Sequence, residues 1–182
     1  MDNTSVLKQI GNTPLIKLKQ ASKLTGCNIY GKAEYFNPGE SVKDRAALFM
    51  IEDAIKNKKI QSGGLVIEGT AGNTGIGLAI VAKAYGLGLK IVIPKTQSIE
   101  KKQVLVNLGA ELVEVDAAPY SSPQNYIKKA KQIAEELSGS NQNGVFWANQ
   151  FDNIVNTESH IRTTAREIWT QTAGKVHGFV CS

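Results

Sequence analysis

Cysteine, histidine and long apolar runs are scarce in this sequence, and each scarcity excludes a class of protein. The two cysteines, Cys27 and Cys181, are too few and too far apart for a disulfide framework. The two histidines share no metal-binding spacing with each other or with the cysteines. No apolar run approaches the ~20 residues of a membrane span, and the amino terminus has neither a basic nor a hydrophobic targeting segment. We therefore expect a protein of the reducing cytoplasm, without a metal site and without a membrane partner.

The excess of positive over negative charge is also small. The net charge is +5, which leaves nucleic acid and anionic ligands as partners to consider. The lysine clusters at 56–59, 101–102 and 128–131 lie on separate expected helices, and no aromatic residues alternate with them. Solvated helix faces explain such clusters better than a nucleic-acid surface does. We therefore expect no nucleic-acid partner.

Strand-like and helix-like segments alternate along most of the chain. Two short strands are expected first, and a helix from Ser41 to about Lys58 follows them. Apolar strands alternating with helices are then typical of right-handed βαβ units around a parallel sheet. The sequence therefore predicts an α/β fold with open parallel sheets and flanking helices. The expected strands are 15–18, 28–34, 65–68, 89–93, 111–115, 145–147 and 176–181, and the later helices are 75–85, 98–109, one from Ser122-Pro123 onward, and about 157–170.

One lysine follows directly after a tight turn, in the segment Asn37-Pro38-Gly39-Glu40-Ser41-Val42-Lys43-Asp44-Arg45. Asn-Pro-Gly favours a turn, and Ser41 with Asp44 three residues later matches a variant of the capping box that begins a helix. Lys43 then lies in the first helical turn, where the backbone dipole disfavours a cation. The position suits a lysine that is neutral or covalently bound. Taken alone, however, this stretch is explained more simply by a solvated lysine.

A glycine-rich loop joins the strand expected at 65–68 to the next helix, with the sequence Gly69-Thr70-Ala71-Gly72-Asn73-Thr74-Gly75-Ile76-Gly77. Ligands of open parallel sheets bind at the carboxyl ends of strands, and the free amides of a helix amino terminus bind a carboxylate or a phosphate. The loop matches neither the Walker pattern nor the dinucleotide fingerprint. Its glycines could also serve tight packing of helix on sheet. Asn73 and the two threonines, however, are more polar than packing requires.

Four motifs, in their order along the chain, resemble those of the cysteine synthase (O-acetylserine sulfhydrylase) family. This family belongs to the fold-type II enzymes that depend on pyridoxal 5′-phosphate (PLP), and it is related to cystathionine β-synthase. The resemblance covers essentially all 182 residues. It implies a tryptophan synthase β-like architecture of two lobes. The motifs are the lysine turn, the glycine-rich loop, the opening Ile10-Gly11-Asn12-Thr13-Pro14-Leu15, and Asn149-Gln150-Phe151.

The resemblance also implies roles for individual residues. Lys43 would hold PLP through a Schiff base, which requires a neutral amine, and would later remove the substrate α-proton. Asn73 would donate a hydrogen bond to the 3′-oxygen of PLP. Asp44 and Arg45 would be structural, as a cap partner and a surface or interdomain ion pair. The substrate carboxylate would be bound by Gln150 and by the loop residues Thr70, Ala71, Gly72, Asn73 and Thr74.

Two departures from the family pattern limit what the resemblance implies. Ala71 stands where most members have serine, and the missing hydroxyl, worth about 1 kcal/mol as a hydrogen bond, could shift preference among O-acetylserine, O-phosphoserine, serine and cysteine. The family also continues past the strand that ends near Ser182 with a Gly/Thr-rich loop that binds the PLP phosphate. We therefore expect residues 1–44 and 151–182 to form part of a larger, incomplete lobe and residues 45–150 to form a smaller, mobile lobe. The isolated chain should then bind PLP weakly and turn over slowly.

Two hypotheses of different kinds follow for the function. The first, which we favour, is PLP-dependent β-replacement that forms L-cysteine from O-acetyl-L-serine, or a similar activated serine, and sulfide. Cystathionine β-synthase-like or cysteine desulfhydrase activity is the alternative within the family. The second is a non-catalytic α/β module that binds a partner or an anionic amino acid. The resemblance further implies a homodimer and, in some members, docking of serine acetyltransferase.

Overall fold

The structure is a computed structural model that describes residues 5–181, and helices and strands alternate through most of this range. Two short 3-10 turns, Val6–Gln9 and Glu34–Phe36, flank the first strands. The strands are β1 (Leu15–Lys17), β2 (Tyr30–Lys32), β3 (Leu65–Gly69), β4 (Gly88–Pro94), β5 (Glu111–Val115) and β6 (Val145–Trp147). The α-helices are α1 (Lys19–Thr25), α2 (Lys43–Lys56), α3 (Asn73–Ala84), α4 (Ile99–Asn107), α5 (Tyr126–Glu136), α6 (Ile154–Ser159) and α7 (Ala165–Gln171), with a π-helical segment, His160–Thr164, between the last two.

Four of the strands form one parallel sheet in the order β5-β4-β3-β6. The chain moves outward from β3 through β4 to β5, and then returns to place β6 on the other side of β3. The expected parallel α/β fold is therefore confirmed, and β3 and β6 flank the point where the strand order reverses. β1 and β2 form a separate antiparallel pair, an arrangement that the strand pattern did not specify.

Helices cover both faces of this sheet. Side chains on β3 and β4 alternate between the two faces, as the two-residue period of a strand requires. Val66 and Ile91 face the core on the side of α2, α3 and α4, whereas Ile67 and Val92 face α5. Apart from Ala33, every buried hydrophobic residue of the described part of the chain lies between 46 and 148.

Three expected elements differ from the structure. The helix expected from Ser122-Pro123 begins at Tyr126, because Asn125 is the N-cap whose side chain accepts from the N–H of Ile127. The helix expected from about residue 157 begins earlier, at Ile154. Residues 176–181 form no strand, since no neighbouring strand in the described part of the chain pairs with them. An apolar pattern predicts an apolar environment, but a strand also needs hydrogen-bond partners.

Candidate active site

The turn before α2 is fixed by one buried amide side chain. Asn37 is 2% exposed, and its Nδ2 donates to the carbonyl of Ser41 at 2.9 Å and to the carbonyl of Glu34. Its Oδ1 accepts from the N–H of Gly11 at 2.8 Å. Asn37 therefore holds the lysine turn in shape and also joins it to the opening motif near Gly11, which explains why these two distant motifs occur together.

The capping interactions at the start of α2 differ from the expected capping box. The hydroxyl of Ser41 accepts from the N–H of Lys43 at 3.2 Å. Asp44 folds back to accept from the N–H of Gly39 at 2.5 Å instead of from Ser41. A Cβ at Gly39 would collide with this carboxylate, so glycine is required there for space, while the positive φ of the turn falls on Glu40. Burial raises the pKa of Asp44 to about 6.

Lys43 is the first residue of α2 and is half-buried. In the described part of the chain, its side-chain amine makes no hydrogen bond and no ion pair. α3 packs closely against this end of α2, because a Cβ at Gly77 would lie 3.1 Å from the carbonyl oxygen of Lys43 and from Cα of Asp44. Gly77 therefore permits the first turns of the two helices to approach each other, which brings Lys43 next to the helix that follows the glycine-rich loop.

The loop between β3 and α3 has the geometry of an anion site. Gly72 is the N-cap of α3 and supplies no side-chain cap, so the first N–H groups of the helix have no intrahelical acceptor. Thr70 and Thr74 are buried, whereas the side chain of Asn73 is exposed and makes no hydrogen bond to the described residues. The carbonyl of Ala71 accepts from Nε2 of Gln97 at 2.9 Å. The loop thus presents free backbone donors together with one free amide side chain.

Gln150 joins this loop from a distant part of the sequence. Its Oε1 accepts from the hydroxyl of Thr74 at 2.5 Å, across 76 positions. Gln150 follows β6, and Thr74 follows β3, so the two residues meet at the reversal point of the strand order. The structure therefore brings Thr70, Ala71, Gly72, Asn73, Thr74 and Gln150 to one edge of the sheet, as the resemblance implied, while their individual roles stay predictions.

Sequence reasoning missed two titratable residues at this site. Glu68 is 1% exposed and accepts from the backbone N–H groups of Asn149 and Gln150. His160 lies on the π-helical segment, a feature that is frequent at functional sites. Burial lowers the pKa of His160, and the charges of Lys43 and Arg45 lower it further. A glutamate within an apolar strand was a signal for the first, but no pattern in the sequence pointed to the second.

Of the surface or interdomain ion pair expected for Arg45, the surface alternative is wrong, because Arg45 forms a buried ion-pair network. Its side chain is 1% exposed and contacts Glu34 at 2.8 Å and Glu167 at 2.5 Å. It also donates to the hydroxyl of Thr13, and Lys32 adds a second cation to Glu167. Burial alone would raise the pKa of Glu167, but hydrogen bonds from Arg45 and Lys32 lower it to about 2. The network therefore anchors the first turn of α2 to α7 and to the amino-terminal segment.

These observations fit the attachment of an aldehyde cofactor at Lys43. Within residues 5–181 the amine forms no ion pair with a carboxylate, and it lies in the first turn of α2, which packs against α3 at Gly77. Asn73 and the first amides of α3 provide donors that no described residue uses. No cluster of three or more potential metal ligands occurs within residues 5–181. No helix in the same range is both long and apolar enough to cross a bilayer.

Comparison with known proteins identifies relatives over nearly the whole chain. Cysteine synthase 1 of Neurospora crassa is 52% identical over 173 residues, which are 95% of this chain and 45% of that protein. The O-acetylserine dependent cystathionine beta-synthase of Bacillus subtilis is 39% identical, over 97% of this chain and 55% of that protein. The crystal structure of O-ureido-L-serine synthase superposes with a TM-score of 0.85 at 37% identity, over 97% of this chain and 53% of that one. The chain thus spans about half the length of the relatives that it matches.

A family model confirms what the motifs implied. The model described as pyridoxal-phosphate dependent enzyme matches residues 6–182. The match includes the lysine turn, the glycine-rich loop and the Gln150 segment, which are the parts that meet at the carboxyl edge of the sheet. This chain is therefore a member of the pyridoxal-phosphate dependent enzyme family.

Proposed function

We propose that the protein is a cysteine synthase, which converts O-acetyl-L-serine and sulfide to L-cysteine and acetate with PLP bound to Lys43. The observation that carries the proposal is the position of Lys43 in the first turn of α2, which packs against α3 at Gly77, with an amine that makes no hydrogen bond or ion pair to residues 5–181. Two fungal relatives named cysteine synthase 1, each 52% identical to this chain, support the same reaction. PLP, when bound, supplies an aldehyde for attachment and a conjugated ring that withdraws electrons from the substrate α-carbon.

The residues of this chain divide the remaining tasks between them. Lys43 Nζ would hold the cofactor and would take the proton from the substrate α-carbon as a general base. The loop at 70–74 binds the substrate carboxylate, and Gln150 assists. The N–H groups of Thr70 and Gly72 already donate to Val92 and to Thr70 Oγ1, so the backbone donors left for the carboxylate are those of Ala71, Asn73 and Thr74. Asn73 would donate a hydrogen bond to the 3′-oxygen of the cofactor, as the resemblance implies. Fixing the carboxylate fixes the orientation of the α-carbon, which contributes to rate by removing rotational freedom before the reaction.

A second reaction of the same kind is the use of a thiol larger than sulfide. Relatives include an O-acetylserine dependent cystathionine beta-synthase and, among solved structures, a hydrogen sulfide-producing enzyme from Fusobacterium nucleatum. Ala71 lacks a hydroxyl that could contact the β-substituent of the substrate. Supplying PLP-loaded protein with O-acetylserine and either sulfide or homocysteine distinguishes the candidates, because cysteine synthase should favour sulfide. A clear preference for homocysteine would favour the cystathionine-forming reaction instead.

Attachment of the cofactor can be tested without turnover. We expect PLP followed by borohydride reduction to add the cofactor mass to the peptide that contains Lys43, even when binding is weak. Lys43→Ala should abolish this labelling, whereas the exposed Lys56→Ala should leave it unchanged. Labelling spread evenly over the lysines of the wild-type chain would contradict the proposal, and would favour a non-catalytic α/β module.

We also propose the lobe division, the assembly and the location. Residues 45–150 would form the smaller lobe, supported by the core between 46 and 148, and residues 1–44 and 151–182 would belong to the larger lobe. A homodimer, serine acetyltransferase as a docking partner and a cytoplasmic location follow from the resemblance to cysteine synthases. The exposed, unpaired Cys27 and Cys181 are consistent with a reducing compartment. Sedimentation of the PLP-loaded protein, with and without serine acetyltransferase, tests both assembly proposals.

A further inference from the structure

Glu68 is a buried carboxyl that the proposed chemistry does not use. It lies near the carboxyl end of β3, the strand between β4 and β6, and is 1% exposed. No lysine or arginine of the described residues pairs with it. A buried carboxyl costs free energy unless hydrogen bonds replace its water, and an apolar residue would suit this interior strand position better. The hydrogen bonds of Glu68 should therefore indicate why an acid stands there.

Those hydrogen bonds all come from the turn that follows β6. Oε2 of Glu68 accepts from the N–H of Asn149 at 2.8 Å, and Oε1 lies 3.4 Å from the N–H of Gln150. Asn149 has a φ of +47°, in the left-handed region that few residues adopt without support. Burial raises the pKa of Glu68 to about 7, although the N–H groups of Gln150 and Asn149 oppose that shift. The carboxyl of Glu68 therefore fixes the backbone of this turn through the N–H groups of Asn149 and Gln150.

The same turn is fixed from the other side by the glycine-rich loop. The side chain of Gln150 accepts from Thr74, in the first turn of α3, and α3 follows directly from the strand that carries Glu68. The contacts close a ring: β3 leads to Thr74, Thr74 binds the side chain of Gln150, and the backbone of Gln150 returns to Glu68. Within this ring, Glu68 sets the distance between the two loops that meet at the strand-order reversal.

We propose that Glu68 is a positioning residue that holds Gln150 against Thr74 and so sets the geometry of the substrate-carboxylate site. The carboxylate role of that site rests on the proposed function, whereas the link between Glu68 and the turn does not. A carboxylate can accept from both N–H groups at once. An amide of the same size can accept from only one of them, since its other atom is a donor.

Hydrogen exchange tests the link itself, in the whole chain and without substrate. In Glu68→Gln we expect the amides of Asn149 and Gln150 to exchange about tenfold faster, the factor that corresponds to loss of one hydrogen bond of ordinary strength. Glu68→Asp should behave alike, because the shorter acid cannot reach both amides. Glu111→Gln is the matched control, the same change on β5 of the same sheet, and should leave both amides unchanged. Unchanged exchange in Glu68→Gln would overturn the link.

Kinetics of the PLP-loaded protein test whether the link serves substrate binding. Glu68→Gln should raise KM for the amino-acid donor about tenfold, with a smaller change in kcat and none in KM for sulfide. In a Gln150→Ala background the same substitution should add little, because the side chain that it positions is already absent. An unchanged KM, or a full effect in the Gln150→Ala background, would overturn the positioning role. If the wild-type protein neither binds PLP nor makes cysteine, the proposed role of Glu68 in substrate binding is wrong together with the proposed function. Hydrogen exchange would still test whether Glu68 holds the turn at Asn149 and Gln150.

Discussion

The middle of the chain and its two flanks are stabilised in different ways. Between residues 46 and 148, buried apolar side chains pack on both faces of the parallel sheet. The flanks at 5–44 and 151–181 contribute one buried hydrophobic residue, Ala33, and they expose large apolar side chains such as Phe151, Trp169 and Val180. The flanks join the middle through partly buried apolar residues that pack against this core, Leu7, Ile10 and Val155, and through the polar network around Arg45. Apolar burial is non-directional, whereas such a network depends on each partner, so we expect the two regions to respond differently to mutation.

The largest effect is expected for Arg45→Met, which leaves two carboxylates without their shared cation. Removing one partner from a buried ion pair costs about 3 to 5 kcal/mol of unfolding free energy, measurable by urea denaturation. Hydrogen exchange should accelerate in α7 more than in β4. Arg166→Met is the matched control, since Arg166 is exposed on the same helix as Glu167, and it should have little effect. Equal losses of unfolding free energy in the two variants would contradict the expected difference between the middle of the chain and its flanks.

A core truncation should come next. Ile91 is fully buried on the central strand β4, and Ile91→Ala should cost about 2 to 5 kcal/mol through lost burial and the remaining cavity. Ile154 is 73% exposed in the carboxyl-terminal flank, so Ile154→Ala should change the unfolding free energy by less than about 0.5 kcal/mol. Denaturation of the two variants side by side measures the contrast. Similar losses would mean that the flank contains a core of its own.

A smaller effect is expected where α2 and α3 touch. Gly77→Ala places a methyl group 3.1 Å from backbone atoms of Lys43 and Asp44, which cannot rotate away. Overpacking of this kind costs about 1 to 3 kcal/mol, and moving Lys43 away from the loop should also reduce borohydride-trapped PLP. Gly178→Ala, where a Cβ meets no atom within 4 Å, is the control. Full stability together with full labelling in Gly77→Ala would show that the contact is dispensable.

The smallest effect, when it is expressed per pH unit, is a dependence of the unfolding free energy on pH. The pKa of Glu68 is about 7 in the folded chain and 4.5 in its ordinary state. A raised folded pKa means that the stability from this carboxyl is fully present below about pH 4.5 and is lost as the pH rises to about 7, with a slope of up to about 1.4 kcal/mol per pH unit. Asp44 adds a slope of the same sign. The difference between the wild type and Glu68→Gln should isolate the contribution of Glu68, and a flat difference would contradict it.

The sequence predicted more of the middle of the chain than of its flanks, because apolar burial follows from a local pattern, whereas the contacts of the flanks depend on particular partners. Strands β3 to β6 lie where the apolar runs predicted them, and Ser98 caps α4 as expected. The strand expected at 176–181 was wrong, because pairing depends on a neighbour that no local pattern reveals. Ser122 was wrongly taken as a cap because Asn125, three residues later, caps the helix that forms. Each error lies where the local sequence pattern allowed more than one structure and the tertiary surroundings decided between them.

The residues of the candidate site also divide into those that local patterns identified and those that they did not. Lys43 and the loop at 70–74 could be identified from local motifs, since turn chemistry and glycine content are written in adjacent residues. Glu68 was marked only as an acid within an apolar strand, and His160 by no pattern at all. Their significance comes from residues far along the chain, the N–H of Gln150 for the first and the charge of Lys43 for the second.

By itself, the sequence determined the family, the order of elements and the residues of the lysine turn and the glycine-rich loop. Those depend on interactions between near neighbours, which backbone geometry and side-chain type largely fix. Only the tertiary structure decided that Arg45 is buried among carboxylates, that Gln150 meets Thr74 and that Glu68 supports the turn between them. Apart from the pair of Arg45 with Glu34, those contacts join residues 76 to 122 positions apart. Burial, which makes each of them strong, exists only once the chain has packed.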